Sequence, residues 1–185
     1  MNVDEEQLKA VSVGGPPPTY QEIVLADYHP DWPRWFERAE KQIRDALGEA
    51  VLQLEHVGST SVPRLAAKPL IDINLVVADT TDEPAYVPKL EAAGYVLRVR
   101  EPDWYEHRLL RGQDPPVNLH VFPLGCEEVE RMRVFRDHLR ANEADRELYA
   151  SAKRELAGKE WKYVQNYADA KSDVVQKILA RAEPP

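Results

Sequence analysis

From residue 70 to residue 77 the chain reads Leu70-Ile71-Asp72-Ile73-Asn74-Leu75-Val76-Val77, an apolar run broken only by two polar side chains two positions apart. Side chains alternate across a strand, so this spacing predicts a β-strand with Asp72 and Asn74 on one face. An ionised carboxylate is costly to bury unless a partner or a ligand compensates it. Any fold that contains this strand must therefore give Asp72 company. A purely structural pairing with Lys68 or Arg108 is one reading, and a ligand is the other.

Just upstream, Val51–Val57 reads as a second strand and ends in Gly58-Ser59-Thr60-Ser61, followed by Pro63. Gly58 permits close approach of the backbone to another group. The hydroxyls of Ser59, Thr60 and Ser61, with their backbone N–H groups, suit an anion nest for a phosphate. The bland alternative is a hydrogen-bonded turn. Twelve residues separate Ser59 from Asp72, enough for turn and acid to meet across one cleft, where Asp72 could hold Mg²⁺ against phosphate oxygens with Asn74 as a weaker second ligand. Nearby cations that would neutralise a phosphate are Arg64, Lys68, Arg108 and Lys171, each of which could equally be a solvated surface charge.

Residues 1–19 combine acids with Gly14-Gly15-Pro16-Pro17-Pro18 and show no periodic apolar face, which predicts a flexible leader ahead of one domain over 20–182. Glu22–Leu25 reads as a short strand. Asp31 and Pro33 mark the start of a helix whose apolar positions Trp35, Phe36, Ala39, Ile43 and Leu47 recur at helical spacing up to Gly48. Trp32 and Trp35 are expected as core anchors. A short helix closes at Gly94, and strands follow at 95–99, 105–110 and 117–122, the last with Asn118 and His120 two apart. Helices are expected from Glu127, over 143–157 and over 160–181. Strands with interleaved helices and then a helical block predict an α/β (α+β) fold, a mixed sheet flanked by helices.

Composition bounds the partners. A formal charge of -8 argues against general nucleic-acid binding, no apolar run reaches membrane-spanning length, and the single cysteine, Cys126, allows no internal disulfide. The expected address is the cytoplasm, and the expected ligand a nucleotide or another small phosphorylated molecule. A histidine-based hydrolase has little support, because no metal-spaced histidine pair or nucleophile elbow is present and Glu55 and His56 point to opposite faces of a strand.

The stretch His56-Val57-Gly58-Ser59-Thr60-Ser61-Val62-Pro63 and the strand bearing Asp72 resemble the GrpB family and, more broadly, the nucleotidyltransferase fold of the polymerase-beta superfamily. The same resemblance extends to Tyr28–Trp32, Asn118–Pro123, Phe135–Arg140 and Tyr167–Lys171, covering about residues 20–182. It implies a nucleotidyltransferase-like core, found elsewhere fused to dephospho-coenzyme A kinase. Active relatives on this fold use two acids spaced Asp-x-Asp/Glu, commonly with a third on a neighbouring strand, to bind two Mg²⁺ ions. This chain has Asn74 at the second position and His120 where the third acid would stand, a departure that argues against two-metal nucleotidyl transfer. The roles implied are Asp72 and Ser59 as catalytic residues, with Gly58, Ser59, Thr60, Ser61, Lys68, Arg108, His120 and Lys171 on the substrate. The competing expectation is a non-catalytic metabolite-binding or regulatory module.

Overall fold

The computed structural model describes residues 5–16 and 23–182. Five strands form one mixed sheet in the order β1-β2-β5-β4-β3, with β1 at Gln53–Val57, β2 at Ile71–Val77, β3 at Val96–Glu101, β4 at His107–Gln113 and β5 at Pro116–Pro123. Only the central β2–β5 pair is parallel. As its alternation predicts, β2 turns Ile71, Ile73, Leu75 and Val77 to one face, where they are almost wholly buried with Leu110, Leu119 and Val121. Each such aliphatic side chain contributes about 1.5–3 kcal/mol by leaving water.

Two helices cover that apolar face, α2 at Trp32–Leu47 and α3 at Glu83–Ala92. Helix α2 presents Ala39, Ile43 and Leu47 on one stripe and stops at Gly48, whose φ of 56° favours glycine. Asp31 stands at its N-cap position, but its carboxylate accepts from Arg34 at 3.2 Å and does not bond the helix amides. Trp32 is a core anchor and Trp35 packs partly buried beside it.

The opposite face meets the terminal helices: α4 at Glu127–Ala141, α5 at Glu143–Ala157, α6 at Val164–Ala170 and α7 at Ser172–Ala182. Val129 of α4 packs on Val76 and Phe122. A separate apolar cluster joins Val62 and Leu65, from the segment after β1, to Leu139, Tyr149, Ala150 and Ile178 of this block. The helices therefore clamp the loop that leads from the Gly58–Ser59 bend to Asp72. The expected single helix over 160–181 is two helices, interrupted at Lys171.

Two other expectations change. Within the supposed leader, Glu5–Val11 is a helix (α1) that buries Leu8, and Val13 N–H donates to the Arg98 carbonyl at the edge of β3, so residues 5–13 cover that edge. Residues 17–19 lie outside the described residues, as does Glu22. Over 23–25 there is no strand; a single bridge pairs Ala26 with Ala67.

Candidate functional site

The polar face of the sheet and the terminal helices enclose a cavity of about 420 Å³. Its floor follows from strand register. Val57, Asp72 and Asn118 are successive partners across β1, β2 and β5, and Asn74 partners His120. Asp72, Asn74, Asn118 and His120 therefore share one face, as their spacing predicts.

The bend meets the acid directly. Gly58 has φ 69° and ψ -173°, backbone that is essentially open to glycine alone, and a Cβ built on it would lie 2.5 Å from Asp72 Oδ2. The turn beyond it, Ser59–Ser61, is held by its own hydroxyls. Ser61 Oγ donates to the Gly58 carbonyl at 2.6 Å, and Thr60 Oγ1 donates to the Leu70 carbonyl at 3.1 Å. Thr60 is then left to accept from His56 Nε2 at 3.0 Å. His56 lies on the apolar face, stacked on Phe36, and burial pushes its imidazole down to about 4 despite nearby Asp72. Thr60 and Ser61, expected on the ligand, spend their hydroxyls on these internal bonds, and Thr60 also lines the cavity. Ser59 alone turns its hydroxyl to the helical side, where Lys153 Nζ lies 2.9 Å from Oγ.

Asp72 Oδ1 accepts from Asn118 Nδ2 at 3.1 Å and stands 3.6 Å from His120 Nε2. Burial raises its carboxyl, but His120, Asn118 and Lys171 outweigh that and hold it below the ordinary range. His120 is fixed from behind. The Glu101 carboxylate can only accept, from His107 Nδ1 at 2.7 Å, so His107 Nε2 must accept from His120 Nδ1 at 3.1 Å. His120 Nε2 therefore faces Asp72. Burial pushes buried His107 down to about 4, against the pull of Glu101.

Cations form the roof. Lys68 and Lys171 lie on the Tyr167 ring at 5.1 and 4.9 Å, and Lys153 lies 4.8 Å from the Tyr149 ring centre. Among the described residues that line the cavity, Lys68, Arg111, Arg131, Lys153 and Lys171 are basic, against Asp72 and Glu128; Arg131 is bonded to Glu128 at 2.9 Å. Arg111 Nε has no hydrogen-bond partner among the described residues. In a chain of net charge -8 this is a local excess of positive charge.

Arg108 is not in the cavity. Strand alternation puts it on the apolar face, where its Nε donates to Glu83 of α3 at 2.6 Å and its guanidinium also bonds the Glu106 carbonyl. The cation that β4 does send to the cavity is Arg111, a neighbour of Asn118 in register. Asn74 is 1% exposed, and neither atom of its amide has a partner among the described residues. It lies beneath the floor and is absent from the cavity lining.

Lys153 and the two tyrosines were not anticipated from sequence. A signal existed in α5, whose buried residues Asp145, Arg146, Tyr149, Ala150 and Lys153 recur at helical spacing. A buried stripe that includes charged residues marks a polar interior rather than a solvated face.

The GrpB protein family profile matches residues 22–181. A UPF0157 protein of Halalkalibacterium halodurans is 57% identical over 178 residues, 96% of this chain and 91% of that protein. The crystal structure of the conserved protein GrpB from Enterococcus faecalis superposes with a TM-score of 0.75 at 31% identity, covering 86% of this chain and 96% of that one. A dephospho-CoA kinase of Mycolicibacterium paratuberculosis is 30% identical over 158 residues, 71% of this chain and 39% of that protein.

Proposed function

The chain belongs to the GrpB family, and from that premise we propose that its cleft binds a small phosphorylated molecule by the phosphate, with a nucleotide as the favoured class. One observation carries the reading: the Gly58–Ser59 bend is pressed against Asp72 beneath Lys68, Lys153 and Lys171. A phosphate there would take charge-assisted hydrogen bonds in a partly dry site, each contributing about 1.5–3 kcal/mol. The similarity of this chain to part of a dephospho-CoA kinase supports a nucleotide-like ligand.

A pair of Mg²⁺ ions does not fit the donor set. Asp72 is the one carboxylate on the floor, Asn74 and His120 stand where further acids would be needed, and ammonium groups already supply positive charge. What remains of a metal role is a single Mg²⁺ on Asp72 with the ligand's own oxygens as its other donors, because Asn74, expected as a second ligand, lies beneath the floor and outside the cavity lining. Phosphate affinity in this reading does not depend on it. Transfer chemistry of nucleotidyltransferase type would rest on positioning and electrostatic stabilisation by Ser59, Lys68 and Lys171.

Asn74 and His120 also favour a second reading, a module that binds the metabolite without turning it over. The two share one test. Calorimetric titration with nucleoside di- and triphosphates and with inorganic phosphate, each with Mg²⁺ or with EDTA, is expected to show binding in both conditions. The double variant Lys153→Met, Lys171→Met should weaken it about 100-fold, the effect of two lost charge-assisted bonds. Silence across all ligands at millimolar concentration refutes the binding site, and product formation separates enzyme from module.

A further inference from the structure

The acid set that would hold two metal ions is incomplete, yet the same cleft contains a hydroxyl and an amine in hydrogen-bond contact. Ser59 sits at the first position of the turn that Gly58 opens, with its Oγ 2.9 Å from Lys153 Nζ. Lys153 projects from α5, is 2% exposed, and is fixed at its other side by donating to the Ala66 carbonyl. Among the described residues its ammonium has no carboxylate partner. The charged and titratable groups around it are Lys171 beyond α6, Arg154 and Tyr149 of its own helix, Lys68 and Tyr167 at the roof, and Asp72 on β2.

We infer that Ser59 and Lys153 form a nucleophile–base dyad that transfers a phosphoryl group from a phosphate ester or anhydride through a covalent phosphoserine. The inference rests on the phosphate-binding reading of the same cleft. Nucleophile and base within hydrogen-bond reach, the base oriented by a third group, is the arrangement such catalysis needs, and the Ala66 carbonyl is that third group. Burial, then Lys171 and Arg154, hold the lysine down to about 7, against Asp72, so a substantial fraction is free amine at neutral pH.

The step balances within the chain and its substrate. As Ser59 Oγ forms a bond to phosphorus, its proton passes to the Lys153 amine. The bond from phosphorus to the leaving oxygen breaks, and that oxygen takes the proton from the Lys153 ammonium. Water then attacks the phosphoserine with Lys153 again accepting a proton, and the Oγ–phosphorus bond breaks, returning the proton to Ser59. Lys68, Lys171 and Arg111 lie where they would offset the oxygens of the transferred group.

The probe is diisopropyl fluorophosphate, a phosphorus electrophile whose P–F bond breaks as a serine oxygen attacks. Intact mass and peptide mapping are expected to place one diisopropylphosphoryl group on Ser59, at a rate that rises with pH through about 7 as Lys153 loses its proton. Ser59→Ala should carry no adduct there. Lys153→Arg, which keeps the charge and removes the base, should label about 100-fold more slowly or less, the range for loss of a general base. Its folding is checked by near-UV circular dichroism. A second variant, Lys153→Met, covers the case in which arginine does not fit. An unlabelled Ser59 in a native chain that still binds inorganic phosphate overturns the dyad and leaves the binding site standing. A native chain that neither binds phosphate nor reacts overturns both. Equal labelling of native and folded Lys153→Arg chains also overturns the dyad.

Discussion

On the sheet wall of the cleft one carboxylate, Asp72, stands among amides and imidazoles, whereas the helical wall opposite brings Lys153 and Lys171 against tyrosine rings. The first wall is rigid. Strand register fixes its side chains, and a hydrogen-bonded line from Glu101 through His107 fixes the His120 ring. The second is assembled by packing of α5 and the α6–α7 break, and its charges rest on tyrosine rings and, at Lys153, on the Ser59 hydroxyl and the Ala66 carbonyl. A preorganised floor beneath a charged roof suits the anionic ligand proposed for the cleft. If that division of labour is real, changes to the floor should register in stability and changes to the roof in affinity.

The largest expected effect is at Gly58, where the bend presses on Asp72 of the sheet wall. A valine there would require φ 69° with ψ -173° and would drive a Cβ to 2.5 Å from Asp72 Oδ2. Strain and overpacking together should cost about 3 kcal/mol, read as a lower urea midpoint, and phosphate binding should disappear as the Ser59 turn is displaced from beneath the lysines. A Gly58→Val chain of native stability would mean that bend and acid are not in contact.

The two walls also differ in how far the sequence reveals them. Alternation alone puts Asp72, Asn74, Asn118 and His120 on one face, because a period of two is local information. Parity at β4 was harder to read, since Leu109 and Leu110 are adjacent and give no hint of which faces the core. Arg108 was therefore expected in the cleft that Arg111 occupies. The roof depends on which helix face docks on the loop at 59–66, and that is decided by Val62 and Leu65 meeting Tyr149 and Ile178, which are more than 80 residues away along the chain. No local pattern encodes such a contact. The α1 segment shows the same limit, for a Gly- and Pro-rich neighbourhood hides the Leu8 and Val13 contacts that tie it to β3 and the core.

The sheet wall makes a second prediction on the acid side. His56 and His107 are both held down to about 4 by burial, from the ordinary 6.5. Between those values the unfolded chain binds protons that the folded chain refuses. The stability they contribute is present above pH 6.5 and is lost as pH falls through 4. Replacing His107 with Gln, which keeps a polar group near Glu101 but does not titrate, should remove about 3 kcal/mol of the difference in unfolding free energy between pH 7 and pH 4. Denaturant melts at a series of pH values measure it. Parallel curves for the native and His107→Gln chains would show that His107 is solvated rather than sealed behind the floor.

The smallest effect has the most informative sign. If the roof binds phosphate directly, Asp72 is a repulsive neighbour of the ligand, tolerated because Asn118, His120 and Lys171 offset it. Asp72→Asn keeps the shape and the hydrogen bond to Asn118 through its carbonyl, and removes one negative charge from the site. Inorganic phosphate should then bind more tightly, by about tenfold if the charges lie near 5 Å at an effective dielectric of 20 with partial screening. If Asp72 instead reaches the phosphate through a divalent ion, the same substitution weakens binding, and only when Mg²⁺ is present. Titrations of both chains with and without EDTA therefore read, from the sign alone, whether the floor repels the ligand or grips it through a metal.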